Sequence, residues 1–203
     1  MKIICIGRNY REHAKELSNP VPENPIFFLK PDTALLRGNR PFYYPDFSQD
    51  IHYETEIVVK ICKTGKNIDP HEAHLHYDGL GIGIDLTARD LQQKAKEKGL
   101  PWTLAKGFDG AAPLSWFLTK KEFADITDIR FHLKKNGVMV QKGNTGEMIF
   151  PVCDLIAYIS RFITLKPGDL IFTGTPAGVG PIRKGDCLEA YIEEKFMLRC
   201  MIR

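Results

Sequence analysis

From Ile51 to Cys62 the side chains alternate. Ile51, Tyr53, Thr55, Ile57, Val59 and Ile61 fall on one face of an extended chain, and His52, Glu54, Glu56, Val58 and Lys60 on the other. That period of two predicts a half-buried strand. Apolar runs at Ile3 to Ile6, at Ile26 to Leu29 before Pro31, and at the glycine-relieved Leu80 to Leu86 predict three buried strands. Asn136-Gly137 inside Phe131 to Val140 is the signal of a type I′ hairpin, and Asp169 to Phe172, Cys187 to Ile192 and Phe196 to Ile202 read as further strands. Lys166-Pro167-Gly168-Asp169 and Arg183-Lys184-Gly185-Asp186 are the turns that introduce strands.

Helical signals are fewer. Tyr10 to Leu17 reads as a brief, strongly polar helix, followed by a loop that Pro20, Pro22 and Pro25 hold extended, so residues about 8–25 are expected to form a mobile lid over a stable core. Asp69-Pro70 starts a short helix, Thr87 caps one that ends at Gly99 before Pro101, and Val152 to Ile163 forms another. The class is α+β with strands dominating. The 203 residues, with no fixed-period repeat, are expected to form a single domain, 1–203.

Composition narrows the functional classes. A net charge of +3, from 28 basic and 25 acidic residues without a dense basic block, argues against nucleic acid as a partner. The apolar run after Met1-Lys2 ends at Gly7, too short for a signal peptide or a membrane span, so no membrane association and a cytoplasmic location are expected. Cys5, Cys62, Cys153, Cys187 and Cys200 lack paired spacing and read as reduced thiols of an intracellular protein.

The chemistry concentrates in a few positions. Glu54 and Glu56, two apart on a strand, leave the same face, an arrangement that needs solvent, a proton or a cation between them. Asp85 ends an otherwise apolar strand, where a charge marks a site. Three hard oxygen donors favour magnesium, with manganese as the second choice, over zinc. The competing reading makes Glu54 and Glu56 a solvent-facing edge and Asp85 a helix cap. Arg89 and Gln92, three apart at the start of the following helix, are placed to hold a substrate carboxylate, or else belong to an ordinary polar face. Lys106 sits among apolar and small residues and needs an anionic partner unless it snorkels to solvent. His13 and Glu16 have the spacing of a base oriented by a carboxylate, or of an exposed salt pair. His71, His74 and His76 read as surface histidines, and Gly174 to Pro181 as a shaped loop lining a pocket.

In order and spacing, Gly7-Arg-Asn-Tyr-x-x-His13-x-x-Glu16, Phe28-Leu-Lys-Pro31, His52-x-Glu54-x-Glu56, Asp85-x-Thr-Ala-Arg89-Asp-x-Gln92, Trp102-Thr-Leu-Ala-Lys106 and Thr173-Gly-Thr175-Pro resemble the fumarylacetoacetate hydrolase superfamily. The likeness is greatest to its single-domain acylpyruvase and oxaloacetate decarboxylase branch. The resemblance implies a mixed β-sandwich roll, commonly dimeric. It implies that Glu54, Glu56 and Asp85 bind magnesium and that Lys106, Arg89 and Gln92 engage substrate. Thr175 would line the pocket, and His13 with Glu16 would act from the lid. The implied activity is C–C cleavage of a small 2-oxo acid through an enolate, as acylpyruvate hydrolysis or oxaloacetate decarboxylation. The alternative is an isomerase or tautomerase of 2-hydroxymuconate-type dioic acids, and a non-catalytic metal-retaining binding protein stands third.

Overall fold

A computed structural model describes all 203 residues. The strand Thr55–Ile61 lies at the middle of a mixed eight-stranded sheet. On one side it pairs antiparallel with Leu170–Phe172, which runs parallel to Ile3–Gly7, itself antiparallel to Ile26–Lys30. On the other side it pairs antiparallel with Tyr77–Ile84, and the sheet continues through Ala112–Leu114 to Leu35–Arg37. An antiparallel four-stranded sheet, in the order Val138–Asn144, Arg130–Lys135, Cys187–Ile192, Lys195–Met201, packs across the central strands. A three-stranded sheet joins Gly180–Pro181, Ile51–Tyr53 and Thr87–Ala88. The architecture is the strand-dominated α+β roll of mixed sheets, with four short helices.

Several local signals act as their chemistry dictates. Asn136 and Gly137 both take positive φ, 54° and 81°, the geometry of a type I′ turn, and the flanking strands pair Lys135 with Val138. Pro151 precedes the helix Val152–Ser160, whose Leu155, Ile156 and Ile159 are fully buried in the core.

Other expectations need correction. The segment 51–62 is two strands, Ile51–Tyr53 and Thr55–Ile61, belonging to different sheets, and the second is buried on both faces. The alternation misled because the four-stranded sheet covers one face, while segments bearing His13, Lys106 and Thr175 close over the Glu54–Glu56 end of the other. Thr87 does not cap a helix. It lies in a two-residue strand, and the helix Arg89–Glu97 starts from Ala88 with no side-chain cap. The helix Arg11–Glu16, expected to be strongly polar, nevertheless buries His13 and Ala14, and Asn9 just before it donates to the carbonyls of Phe150 and Thr173. After Asp69-Pro70 only the 3-10 turn Ala73–Leu75 forms, and His76 is buried rather than at the surface, unlike the exposed His71 and His74. No helix is long and apolar enough to cross a membrane, and none of the five cysteines is in a disulfide.

Gly83 shows how tightly the central strands are packed against their neighbours. A Cβ there would meet the Phe172 ring and the Val58 side chain. Gly83→Ala should therefore overpack the sheet and lower stability by about 1–3 kcal/mol in a urea titration. An unchanged midpoint would contradict the packing described here.

Candidate active site

Glu54 is the single residue between Ile51–Tyr53 and Thr55–Ile61, where the chain leaves one sheet for another. Its carbonyl accepts the Asp85 N–H at 2.8 Å, fixing the end of the strand Tyr77–Ile84 beside it. The neighbouring Thr55 N–H donates to Gln141 Oε1 at 3.0 Å. One oxygen from each of Glu54, Glu56 and Asp85 can be chosen so that all lie within 4.8 Å of one another, and all three residues are buried. Burial removes the reading of the two glutamates as a solvent-facing edge.

Buried cations offset two of these charges. Lys106 Nζ donates to Glu54 Oε2 at 2.8 Å, Asp85 Oδ2 at 2.9 Å and the Thr87 hydroxyl at 2.5 Å. Lys106 is 3% exposed, so it does not snorkel. Arg89 Nη2 donates to Glu54 Oε1, and Nη1 to Gln92 Oε1 at 2.8 Å. Its Nε is buried without a partner. Lys30, whose side chain is wholly buried, brings Nζ within 2.8 Å of Asp85 Oδ1 and donates to the carbonyls of Lys106 and Ala111. Asp85 Oδ1 accepts no well-angled hydrogen bond, so the Lys30 contact is an ion pair by distance alone.

Glu56 differs. It accepts the Gly174 N–H at 2.7 Å and pairs with no cation. Burial, then the charges of Asp85 and Glu54, push its carboxyl well above the usual range. Burial also opposes ionisation of Glu54, but Lys106 and Arg89 outweigh it and hold that carboxyl well below normal. For Lys106, burial is overcome by Asp85 and Glu54, and its ammonium is stabilised. The donor set fits a hard divalent cation: three buried carboxylates, one of them lacking any cation, with lone pairs left on oxygens that already accept one hydrogen bond.

The helix Arg11–Glu16 brings His13 to this cluster. His13 is 5% exposed, its Nδ1 lies 3.3 Å from Glu16 Oε2, and Glu16 Oε1 accepts the Gly178 N–H at 3.0 Å. Burial lowers the His13 pKa despite the opposing pull of Glu54 and Glu16, which keeps the imidazole neutral and able to take a proton near pH 7. The pair is therefore no exposed salt bridge. His13, Glu54, Glu56, Arg89, Gln92, Lys106 and Thr175 all line one cleft that opens to solvent. The Thr175 hydroxyl donates to the Thr55 carbonyl at 2.8 Å and accepts from Gln141 at 2.9 Å.

Sequence reading missed Lys30 as a partner of Asp85, although a lysine closing the apolar run before Pro31 was a usable signal. It also missed Arg8 and Lys96, which line the cleft, and Gln141, whose role depends on a register no local pattern reveals.

Comparison with known proteins gives a concordant picture. The family model described as Fumarylacetoacetate (FAA) hydrolase C-terminal matches residues 2–203. The chain is 46% identical over 192 residues to a mitochondrial oxaloacetate decarboxylase of Dictyostelium discoideum, covering 94% of this chain and 88% of that one. To a mitochondrial oxaloacetate tautomerase of Mus musculus it is 42% identical over 201 residues, covering 99% and 91%. The structure superposes with a TM-score of 0.94 on fumarylpyruvate hydrolase from Pseudomonas aeruginosa in complex with Mn2+ and pyruvate, at 34% identity, covering 100% of this chain and 89% of that one.

A cation that binds only the folded chain should stabilise it. At about 100 times its Kd, magnesium or manganese is expected to add roughly 2.7 kcal/mol, read as a rise in melting temperature. Glu56→Gln, which removes a like charge and orphans no cation, should fold as well as the parent chain without metal yet lose most of that rise. A rise that persists in Glu56→Gln would contradict the assignment of this carboxylate.

Proposed function

The chain belongs to the fumarylacetoacetate hydrolase family, and from that premise we propose that it is a divalent-metal-dependent enzyme cleaving a carbon–carbon bond of a small 2-oxo acid. Magnesium is the proposed metal, with manganese able to replace it. The observation that carries the reading is a buried histidine, held by Glu16, that lines the same cleft as Glu54 and Glu56, whose carboxylates cluster with that of Asp85. Glu54, Glu56 and Asp85 would hold the cation, which when bound supplies Lewis-acid stabilisation of charge developing on the 2-oxo oxygen.

The chain's own residues account for the rest. Arg89 offers its unpartnered Nε to the substrate carboxylate, with Gln92 bracing the guanidinium. Lys106 holds Glu54 and Asp85 ionised and adds positive charge beside the developing enolate. His13 takes a proton from water, which attacks the distal carbonyl of an acylpyruvate, and Glu16 stabilises the resulting imidazolium. The C–C bond then breaks, its electrons pass to the 2-oxo oxygen, and the imidazolium returns the proton to the enolate carbon. With oxaloacetate, carbon dioxide departs and leaves the same enolate without any water step. Thr175 shapes the cleft wall through its two hydrogen bonds. Residues 8–25 act as the lid, latched where Glu16 meets the Gly178 N–H.

A second reading is favoured by the mouse relative, whose name states oxaloacetate tautomerase activity. Here His13 moves a proton between carbon and oxygen and no carbon–carbon bond breaks, and isomerisation of hydroxymuconate-type diacids would use the same chemistry. The proposal keeps a homodimer as the assembly. It keeps a reducing, cytoplasmic setting, supported by five cysteines of which none is bridged.

With magnesium present, His13→Ala should lower acetylpyruvate hydrolysis by about 10²–10⁴-fold, the usual worth of a general base. A chelator should abolish turnover by the parent enzyme. Full-rate hydrolysis by His13→Ala would remove the water-activation step. Enol–keto interconversion of oxaloacetate without loss of carbon dioxide would select the tautomerase reading.

A further inference from the structure

We propose that Gln141 is a positioning residue for the metal site: its side-chain amide, reaching in from a different sheet, sets the spacing of Glu54, Glu56 and Asp85. The inference rests on the metal reading of those three carboxylates given above and assigns the residue that holds them in place.

The three acidic residues meet at two peptide groups. The peptide joining Glu54 to Thr55 is held at both ends: its carbonyl accepts the Asp85 N–H at 2.8 Å, and its N–H donates to Gln141 Oε1 at 3.0 Å. The peptide joining Thr55 to Glu56 presents a carbonyl that accepts the Thr175 hydroxyl at 2.8 Å, and that hydroxyl oxygen accepts in turn from Gln141 Nε2 at 2.9 Å. One amide thus fixes the first peptide directly and the second through Thr175. Glu54 and Glu56 leave the chain on either side of Thr55, so a tilt of either peptide changes the distance between their carboxylates. A tilt of the first also strains the bond that places Asp85.

The partners dictate which end of the amide is which. The Thr55 N–H can only donate, so the atom facing it is the oxygen, and the Pro176 carbonyl, 3.0 Å from the other end, can only accept, so that end is the nitrogen. Gln141, Thr55 and Thr175 are all buried, so loss of the amide strands a backbone N–H and a carbonyl away from water.

The strand is shaped to aim this side chain inward. Leu133 pairs with Gln141 and Lys134 with Met139, so Val140 is an extra residue with no partner across the ladder. In a regular strand Met139 and Gln141 would share a face. The bulge turns them to opposite faces: Met139 is 52% exposed and Gln141 2%. The loop bearing Thr175 lies on the same bulge, since a Cβ on Gly178 would collide with the Val140 carbonyl and one on Gly143 would meet the Pro176 ring. Leu133, opposite Gln141, is wholly buried, so packing alone would favour an apolar side chain at 141.

Manganese affinity of the full chain separates positioning from general support. It is read by isothermal titration at a temperature where circular dichroism shows each variant folded. Gln141→Met keeps the length of the side chain and removes its three hydrogen bonds. It should weaken manganese binding about 10–100-fold, the usual cost of losing a group that orients metal ligands. Thr175→Val, which cuts only the indirect link, should also weaken it. The electron paramagnetic resonance spectrum of bound manganese, which reports the symmetry of its ligands, should change in Gln141→Met. Leu133→Val, which trims the residue paired with Gln141, should lower the melting temperature while keeping the parent's manganese affinity and spectrum. A folded Gln141→Met with the parent's affinity and spectrum would overturn the proposal and leave the metal reading intact. So would an equal loss of affinity in Leu133→Val. Should Gln141→Met not fold, Thr175→Val carries the test, and unchanged affinity there overturns the proposal. A parent chain that binds no manganese would remove the metal reading and this proposal together.

Discussion

The structure depends on keeping three carboxylates together where water cannot screen them. Two unit charges 4.8 Å apart repel by roughly 3–4 kcal/mol at an effective dielectric of 20, and burial adds several kcal/mol for each ion that lacks a partner. Lys106 meets most of this demand by reaching both Glu54 and Asp85, with Lys30 and Arg89 engaging the remaining oxygens of the same two residues. Glu56 is left with one backbone N–H. Without a further cation the site favours a protonated Glu56, and a divalent cation among the three carboxylates is the group that would stabilise its charged form.

The fold serves that constraint at each point. Glu54 can sit between two sheets because Gln141 takes the Thr55 N–H while the Glu54 carbonyl takes that of Asp85. Gly174 can donate to Glu56 because it has φ of 100° and lies against Asn9, whose side chain would collide with any Cβ there. Asn9 in turn ties the root of the helix Arg11–Glu16 to the loop that follows Phe172. The helix carrying His13, the loop carrying Thr175 and the strand carrying Glu56 are therefore tied together by hydrogen bonds, and Glu16 adds another by accepting the Gly178 N–H.

Much of this was legible from local chemistry. The Asn136-Gly137 hairpin, the strand Cys187–Ile192 and the buried run that ends at Asp85 follow from turn residues and apolar periodicity, and the structure contains all three. The ordered motifs located His13, Glu54, Glu56, Arg89, Gln92, Lys106 and Thr175, all of which line the cleft. What alternation could not reveal was the sheet change at Glu54, because period two is the same whether a face meets water or another sheet. Thr87 looked like a helix cap because hydroxyls favour that position, yet its oxygen is claimed by Lys106 from a helix nineteen residues on. Lys30 was hidden for a related reason: its partner Asp85 is fifty-five residues away, and only the tertiary fold brings them together.

The central claim is that Glu54, Glu56 and Asp85 share one divalent cation. Diffraction from crystals grown with manganese and collected at an energy where that metal scatters anomalously tests it most directly. The account predicts a single strong anomalous peak per chain, within bonding distance of an oxygen from each of the three residues. A peak elsewhere, or no peak between the three carboxylates while Lys30, Lys106 and Arg89 still hold Glu54 and Asp85, would contradict it.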